Sequence, residues 1–311
     1  QMLGLHNAQP LRGDLAACVS PRLAELCRSD DLDQALRIAT AVLADAGVPT
    51  PRADAELLVA YLLDTSRGGV VAAALRGSPP PTGMADLVAG RAARIPLQYL
   101  TGVAHFRDVR LAVGPGVFVP RPETELVTGL AIAAARELVT ACGTARVADL
   151  GTGSGAIALA VATEVPGAQV LAIEVDRTAA AWAAQNLRGQ QNVELIVADM
   201  EDALLGHTVD VVVTNPPYVP PNTPTQPEVV HDPPAALWGR GTDGLDVARG
   251  FVAAAVHSLR PGGFFVMEHA ESQVDTVRTL LAAHFDQVVS HNDLTGRPRM
   301  TSGRRNATAA R

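Results

Sequence analysis

Apolar residues at Leu36, Ala39, Leu43 and Ala46 recur at intervals of three and four, the spacing that stacks side chains on one face of a helix, and Gly47 and Pro49 end that helix. Thr50 before Pro51 reads as an N-cap with proline at the first helical position, and Leu57, Leu58, Tyr61 and Leu62 supply the apolar side of a second helix. A third and a fourth are expected around the break at Ser78 to Pro81, so residues 33–95 form a helical domain. Residues 1–32 show no clear periodicity and are read as an extension without assignment. Over residues 96–122 the period shortens. Alternating stretches at 105–113 and 117–119, separated by Gly114, Pro115 and Gly116, predict a β-hairpin linker between two domains. Beyond it, a helix over about 123–140 leads into β-rich runs at 147–150, 170–174, 195–198 and 209–214 that alternate with helical ones at 156–163 and 178–187. A helix at 243–258, a strand at 263–268, a helix at 271–283 and two strand-like runs complete residues 123–311. Such alternation predicts an α/β domain of βαβ units around a parallel sheet covered on both faces.

Composition narrows the class. With 311 residues, 48% of them hydrophobic and 18% charged, the chain can bury two cores, which excludes a disulfide-stapled module and a disordered chain. Cys18, Cys27 and Cys142 are an odd, scattered set without CxxC spacing, so neither a disulfide framework nor a metal site is expected. No apolar run approaches the ~20 residues of a membrane helix, and a soluble, cytoplasmic, unsecreted protein is expected. All 25 basic residues are arginine. The absence of lysine excludes Schiff-base chemistry and a Walker phosphate loop. A net charge of −7 argues against a domain that grips nucleic acid through its phosphates, although a local basic patch stays open.

Candidate chemistry begins at Val147-Ala-Asp-Leu-Gly151-Thr152-Gly153-Ser154-Gly155, which ends a strand and opens a helix. Ligands approach an α/β sheet at that edge, and glycines let the backbone come close. The alternative is a tight turn that binds nothing. The spacing is GxGxG, not the GxGxxG of dinucleotide folds, Asp149 precedes it and no phosphate-holding lysine follows; together these favour S-adenosylmethionine. Glu174, at the end of the next strand, is placed to accept both ribose hydroxyls. Asp199 and Met200, after the third strand, stand where an adenine ring would lie, Asp199 toward its amine and Met200 as a soft apolar contact.

The fourth strand runs directly into Asn215-Pro216-Pro217-Tyr218. Consecutive prolines fix φ and remove N–H donors, so the chain leaves the sheet as a stiff turn on the ligand edge. The conjugated lone pair of a planar NH2 group must be aimed at an incoming methyl. A site helps by accepting both N–H hydrogens, here at the Asn215 side-chain oxygen and the Pro216 carbonyl, while Tyr218 packs on the flat face of the substrate. No catalytic base is required, since the methylated nitrogen loses a proton readily to water.

These residues resemble the HemK/PrmC protein-(glutamine-N5) methyltransferases over about residues 33–304. The resemblance rests on Pro96-Leu-Gln-Tyr-Leu-Thr-Gly102, Phe118-Val-Pro-Arg-Pro-Glu-Thr-Glu125, Asp149 to Gly155, Asn215 to Tyr218, Gly244-Leu-Asp246, Pro261-Gly-Gly263 and Glu268-His269. The run from Phe118 to Glu125 is the most specific of these, because the N-P-P-Y motif is shared with enzymes that methylate nucleobase amines. The resemblance implies a Rossmann-like class I methyltransferase sheet with a small N-terminal helical domain that recognises the substrate. It implies S-adenosylmethionine as cofactor and, as protein partner and substrate, the glutamine of the Gly-Gly-Gln motif in class I peptide chain release factors, methylated by a monomer. Gly151 to Gly155, Glu174, Met200 and Asn215 then line the cofactor pocket, Asn215 to Tyr218 hold the glutamine, and Arg121 and Glu123 wall the site. Arg121 and Glu123 read alternatively as a linker salt bridge. Met200 stands where many relatives carry an aromatic residue. Competing readings are a nucleic-acid methyltransferase acting on adenine, cytosine or guanine amines, and a catalytically idle cofactor-binding scaffold.

Overall fold

The computed structural model describes residues 20–307. They divide into two compact units, residues 20–102 with Gln226–His231, and Val103–Thr225 with residues 232–307.

Helices Pro21–Arg28, Leu32–Asp45, Pro51–Leu62, Arg67–Leu75, Met84–Ala92 and Leu97–Thr101 build the first unit. Of the extension, residues 1–19 lie outside the described residues, but Pro21–Arg28 is a helix where none was assigned. Its proline opens it, the Ser20 hydroxyl accepts from Leu23 N, and Leu26 is its one buried residue, too little to show as a period. The second helix is capped by Asp31, whose Oδ1 accepts from Gln34 N at 2.8 Å. Thr50 departs from the expected side-chain cap: its hydroxyl donates to Asp54 Oδ1 at 2.8 Å. The buried face of Pro51–Leu62 also differs from the expected one. Ala55, Leu58 and Val59 enter the core, whereas Leu57 and Tyr61 are exposed, because the helix is rotated by about one position from the face that the largest side chains suggest. Arg91 joins Asp54 at 2.7 Å and Glu228 at 2.8 Å, and Arg94 holds both oxygens of Glu228, which seats the 226–231 segment in this unit.

The second unit opens with a hairpin of β1 (Val103–Phe106) and β2 (Val109–Ala112). Its turn lies at Arg107-Asp108, not at the glycines 114–116, because Arg107 adopts a left-handed φ of 49° and closes a two-residue loop; residues 117–119 form no strand. The helix Pro122–Cys142 follows. Strands β3 (Ala145–Leu150), β4 (Ala168–Glu174), β5 (Val193–Val197), β6 (Val209–Thr214), β7 (Leu259–Glu268), β8 (Phe285–Asn292) and β9 (Pro298–Arg305) form one sheet in the order β5-β4-β3-β6-β7-β9-β8. β3 to β7 run parallel, and β9 is antiparallel to both of its neighbours.

Alternation along each strand sends side chains to opposite faces. Val147, Val211, Val213 and Val266 pack with helices Pro122–Cys142, Ala156–Glu164 and Arg177–Asn186 on one face. Ala148, Leu150, Val212, Phe265 and Met267 pack with Asp246–Ser258 and Val274–Ala282 on the other. The chain order reverses between β3 and β6, the switch point at which an open α/β sheet offers a crevice.

Candidate active site

Strand register places the candidate residues. Leu150 of β3 pairs with Ile173 of β4 and with Thr214 of β6, and Thr214 pairs with Met267 of β7. The residues that follow these four, Gly151, Glu174, Asn215 and Glu268, therefore stand in one row along the C-terminal edge. Two hydrogen bonds lock the row, from the Thr214 hydroxyl to the Leu150 carbonyl at 2.8 Å and from Thr152 N to the Ile173 carbonyl at 2.9 Å.

The glycine loop is shaped from below. Gly151, Gly153 and Gly155 have φ of +70°, +56° and +83°, a left-handed region that side chains strain to enter. A Cβ on Gly151 would lie 3.1 Å from the Phe251 ring and one on Gly155 3.2 Å from Leu187, whereas one on Gly153 would project into open space. Asp149 is fully buried beneath the loop. Its Oδ2 accepts from the Thr152 hydroxyl at 2.5 Å and Ala158 N at 3.1 Å, and its Oδ1 has no partner. Burial outweighs those hydrogen bonds and pushes its pKa up to about 7. Ser154 is buried, and its carbonyl accepts from Asn186 at 2.9 Å. Glu174 is buried at the rim, Oε2 accepting from Gly153 N at 2.8 Å and Oε1 from Asp176 N at 2.9 Å; burial raises its pKa. Past β5, Asp199 is exposed and its Oδ1 accepts from Glu201 N, while Met200 is half-buried against the Asp246–Ser258 side of the sheet.

The turn after β6 is held by a chain of side-chain hydrogen bonds. Asn215 Nδ2 donates to Thr124 Oγ1 at 3.1 Å, Thr124 donates to Glu268 Oε2 at 2.8 Å, and the Tyr218 hydroxyl donates to Glu268 Oε1 at 2.8 Å. Glu268 is fully buried, and burial raises its pKa to about 7 against the hydrogen bonds from Thr124 and Tyr218. Burial, with the neighbouring carboxylate of Glu268, pushes the Tyr218 phenol well above its usual range. Behind the turn, Gln273 Nε2 donates to the carbonyls of Tyr218 and Asp243, each at 2.7 Å. Gly244 permits the close approach, since a Cβ there would lie 2.6 Å from the Tyr218 carbonyl oxygen.

Arg121 is joined to buried Asp232 at 2.6 Å and stacks over the Phe118 ring at 4.9 Å, so its charge is already engaged. Glu123 is exposed, and its charge adds to the upward shift of Glu268. Sequence reasoning missed Thr124, Glu268 and Gln273 as site residues. A usable signal existed for Glu268: it ends a parallel strand on the ligand edge, the argument that singled out Glu174.

The loop suits a nucleoside that carries a positive centre. Open space lies above Gly153, a carboxylate stands at its rim, and the buried Asp149 beneath has one oxygen without a partner. Residues 131–237 match the family model of the methyltransferase small domain, and residues 34–102 that of the PrmC N-terminal domain. Fold, site and domain match together define an S-adenosylmethionine-dependent methyltransferase of class I. The chain is 45% identical over 280 residues to the release factor glutamine methyltransferase of Streptomyces coelicolor, covering 86% of this chain and 95% of that protein. It is 45% identical over 286 residues to that of Mycolicibacterium smegmatis, covering 88% and 98%. It is also 41% identical over 259 residues to a 4-amino-L-phenylalanine/4-methylamino-L-phenylalanine methyltransferase of Streptomyces pristinaespiralis, covering 81% and 87%. The chain belongs to the release factor glutamine methyltransferase family.

Proposed function

We propose that this protein transfers a methyl group from S-adenosylmethionine to the side-chain amide nitrogen of the Gly-Gly-Gln glutamine in class I peptide chain release factors, in the cytoplasm. The observation that carries this reading is the orientation of Asn215, just past the end of β6, the strand paired with the one that leads into the glycine loop: its amide nitrogen is taken by Thr124, which leaves the Oδ1 end to accept from a substrate N–H. S-adenosylmethionine supplies, when bound, an electrophilic methyl on a sulfonium. Gly151 to Gly155 and Glu174 hold it, with Asp199 and Met200 toward the adenine. Asn215 Oδ1 and the Pro216 carbonyl accept the two hydrogens of the glutamine amide, Pro217 stiffens the turn, and the Tyr218 ring packs on the amide plane. Orientation of the nitrogen lone pair is the main catalytic contribution. Arg121 and Glu123 wall the substrate side, and the helical unit selects the release factor.

The test is incubation with S-adenosylmethionine and, separately, a class I release factor, ribosomal RNA, DNA and 4-amino-L-phenylalanine, followed by mass spectrometry. A gain of one methyl on the Gly-Gly-Gln peptide is expected. Methylation of nucleic acid or of the small arylamine, with none on the release factor, overturns the reading.

A further inference from the structure

We propose that Glu268 is a positioning residue that sets the polarity of the Asn215 amide, through Thr124, so that an acceptor and not a donor faces the substrate nitrogen. The inference rests on the function proposed above and follows from counting hydrogens. An ionised carboxylate only accepts, and a threonine hydroxyl carries one hydrogen. Glu268 draws the Thr124 hydrogen to Oε2 at 2.8 Å and the Tyr218 hydrogen to Oε1 at 2.8 Å. With its hydrogen committed, Thr124 Oγ1 offers Asn215 only a lone pair, and Asn215 meets it with Nδ2 at 3.1 Å. The Oδ1 end is then the end that can accept from a substrate N–H. Burial makes the arrangement stringent, since Thr124 is 4% exposed and Glu268 2%, and water cannot supply a substitute partner.

Protonation of Glu268 gives it a hydrogen to donate to Thr124, which then donates to Asn215 and turns the amide over. An amide donor would face the N–H groups it should accept. The groups whose charge acts on Glu268 are Glu123, on the helix that carries Thr124, and Arg299, on β9; the Tyr218 phenol after β6 donates to it, and His269 follows it just past the end of β7. Burial brings the carboxyl to about 7, so the polarity is expected to invert as pH falls through neutrality.

A charge-conserving swap tests the proposal. In Glu268→Gln, the new amide oxygen still accepts from Tyr218 while its NH2 donates to Thr124, so the chain of hydrogen bonds runs backward and Asn215 presents its nitrogen. Asn215→Asp sets an acceptor against a Thr124 oxygen that has no hydrogen to give. The double variant restores a consistent chain: the amide introduced by Glu268→Gln donates to Thr124, Thr124 donates to one oxygen of the carboxylate introduced by Asn215→Asp, and the other oxygen faces the substrate. Single-turnover methylation of a release factor at saturating cofactor should fall at least tenfold in each single variant and recover about tenfold in the double, a coupling typical of groups in one network. Cofactor affinity should be unchanged in Glu268→Gln. Side-chain amide NMR, which needs no substrate, should show the Asn215 NH2 resonances moving with pH near 7 in the wild type and static in Glu268→Gln. Additive losses in the double variant, or a pH-independent Asn215 resonance in the wild type, overturn the proposal. A wild type that methylates no release factor overturns the functional reading instead, and the NMR titration still decides this one.

Discussion

The Gly153 N–H donates to Glu174 Oε2 across 2.8 Å, so the loop after β3 and the acidic end of β4 form a single rim. The second oxygen of Glu174 accepts from Asp176 N, and the carboxylate is thereby fixed before any ribose reaches it. Because both oxygens accept from backbone, Glu174→Gln turns an amide donor against a backbone donor and should be nearly as damaging as Glu174→Ala. Calorimetry should show S-adenosylmethionine binding weakened by roughly 1.5–3 kcal/mol in either variant, the usual worth of hydrogen bonds to a charged group. Unchanged affinity would remove Glu174 from the cofactor site.

The glycines of the loop separate packing from binding. Gly151→Ala drives a methyl into the Phe251 ring, with φ at +70°, and should lower Tm clearly. Gly153→Ala meets no neighbour, so its stability cost is limited to the left-handed strain of about 1–2 kcal/mol, yet its methyl enters the space above the loop. Thermal melts and binding isotherms should therefore dissociate: Gly153→Ala should show a modest Tm change and an affinity loss of at least about tenfold, or roughly 1.4 kcal/mol. Full affinity in that variant would place the cofactor elsewhere.

Asp149 makes cofactor binding depend on pH. Burial holds its pKa at about 7, above the ordinary aspartate value, so the folded chain favours the neutral form, and the stability present below about pH 4 is lost progressively as pH rises to the folded value. A ligand with a positive sulfonium reverses that preference by favouring the carboxylate. Affinity for S-adenosylmethionine should increase as pH rises toward about 7 and level off above it, and in the free protein this group should make Tm fall between about pH 4 and about pH 7, with no further loss above. Both trends should flatten in Asp149→Asn. An affinity that falls with rising pH would contradict the assignment.

Glu228 works in the opposite sense. Burial alone would raise its pKa, but the hydrogen bonds from Arg94 and Arg91 outweigh it and bring the carboxyl down to about 2. A depressed pKa gives stability that is complete above the unfolded-state value of about 4.3 and disappears as pH falls toward the folded value. Glu228→Gln should lower Tm at neutral pH, and its difference from wild type should shrink between about pH 4.5 and pH 2 as the wild-type carboxyl protonates. Melts that differ by the same amount at both ends of that range would show the arginines to be indifferent to the charge.

Local chemistry made much of this protein legible from the amino-acid order. Periods of two and of three to four marked strands and helices, the glycine spacing after β3 marked the cofactor class, and Asn215-Pro216-Pro217-Tyr218 marked the edge proposed to hold the substrate, because each of these depends on neighbours a few residues away. Helix rotation was less legible: Leu57 and Tyr61 look like core by size, but packing chose Ala55, Leu58 and Val59. The hairpin turn fell at Arg107 and not at the conspicuous glycines for a similar reason, since strand pairing selects the turn. The partners of the site required the tertiary structure outright. Thr124 lies 91 residues from Asn215 and 144 from Glu268, and only the parallel register of β3, β6 and β7, with the Pro122–Cys142 helix laid against them, brings their single shared hydrogen into question. A sequence specifies which groups can donate and accept; which of them must share a hydrogen is decided by burial and register, where no water remains to satisfy the group left over.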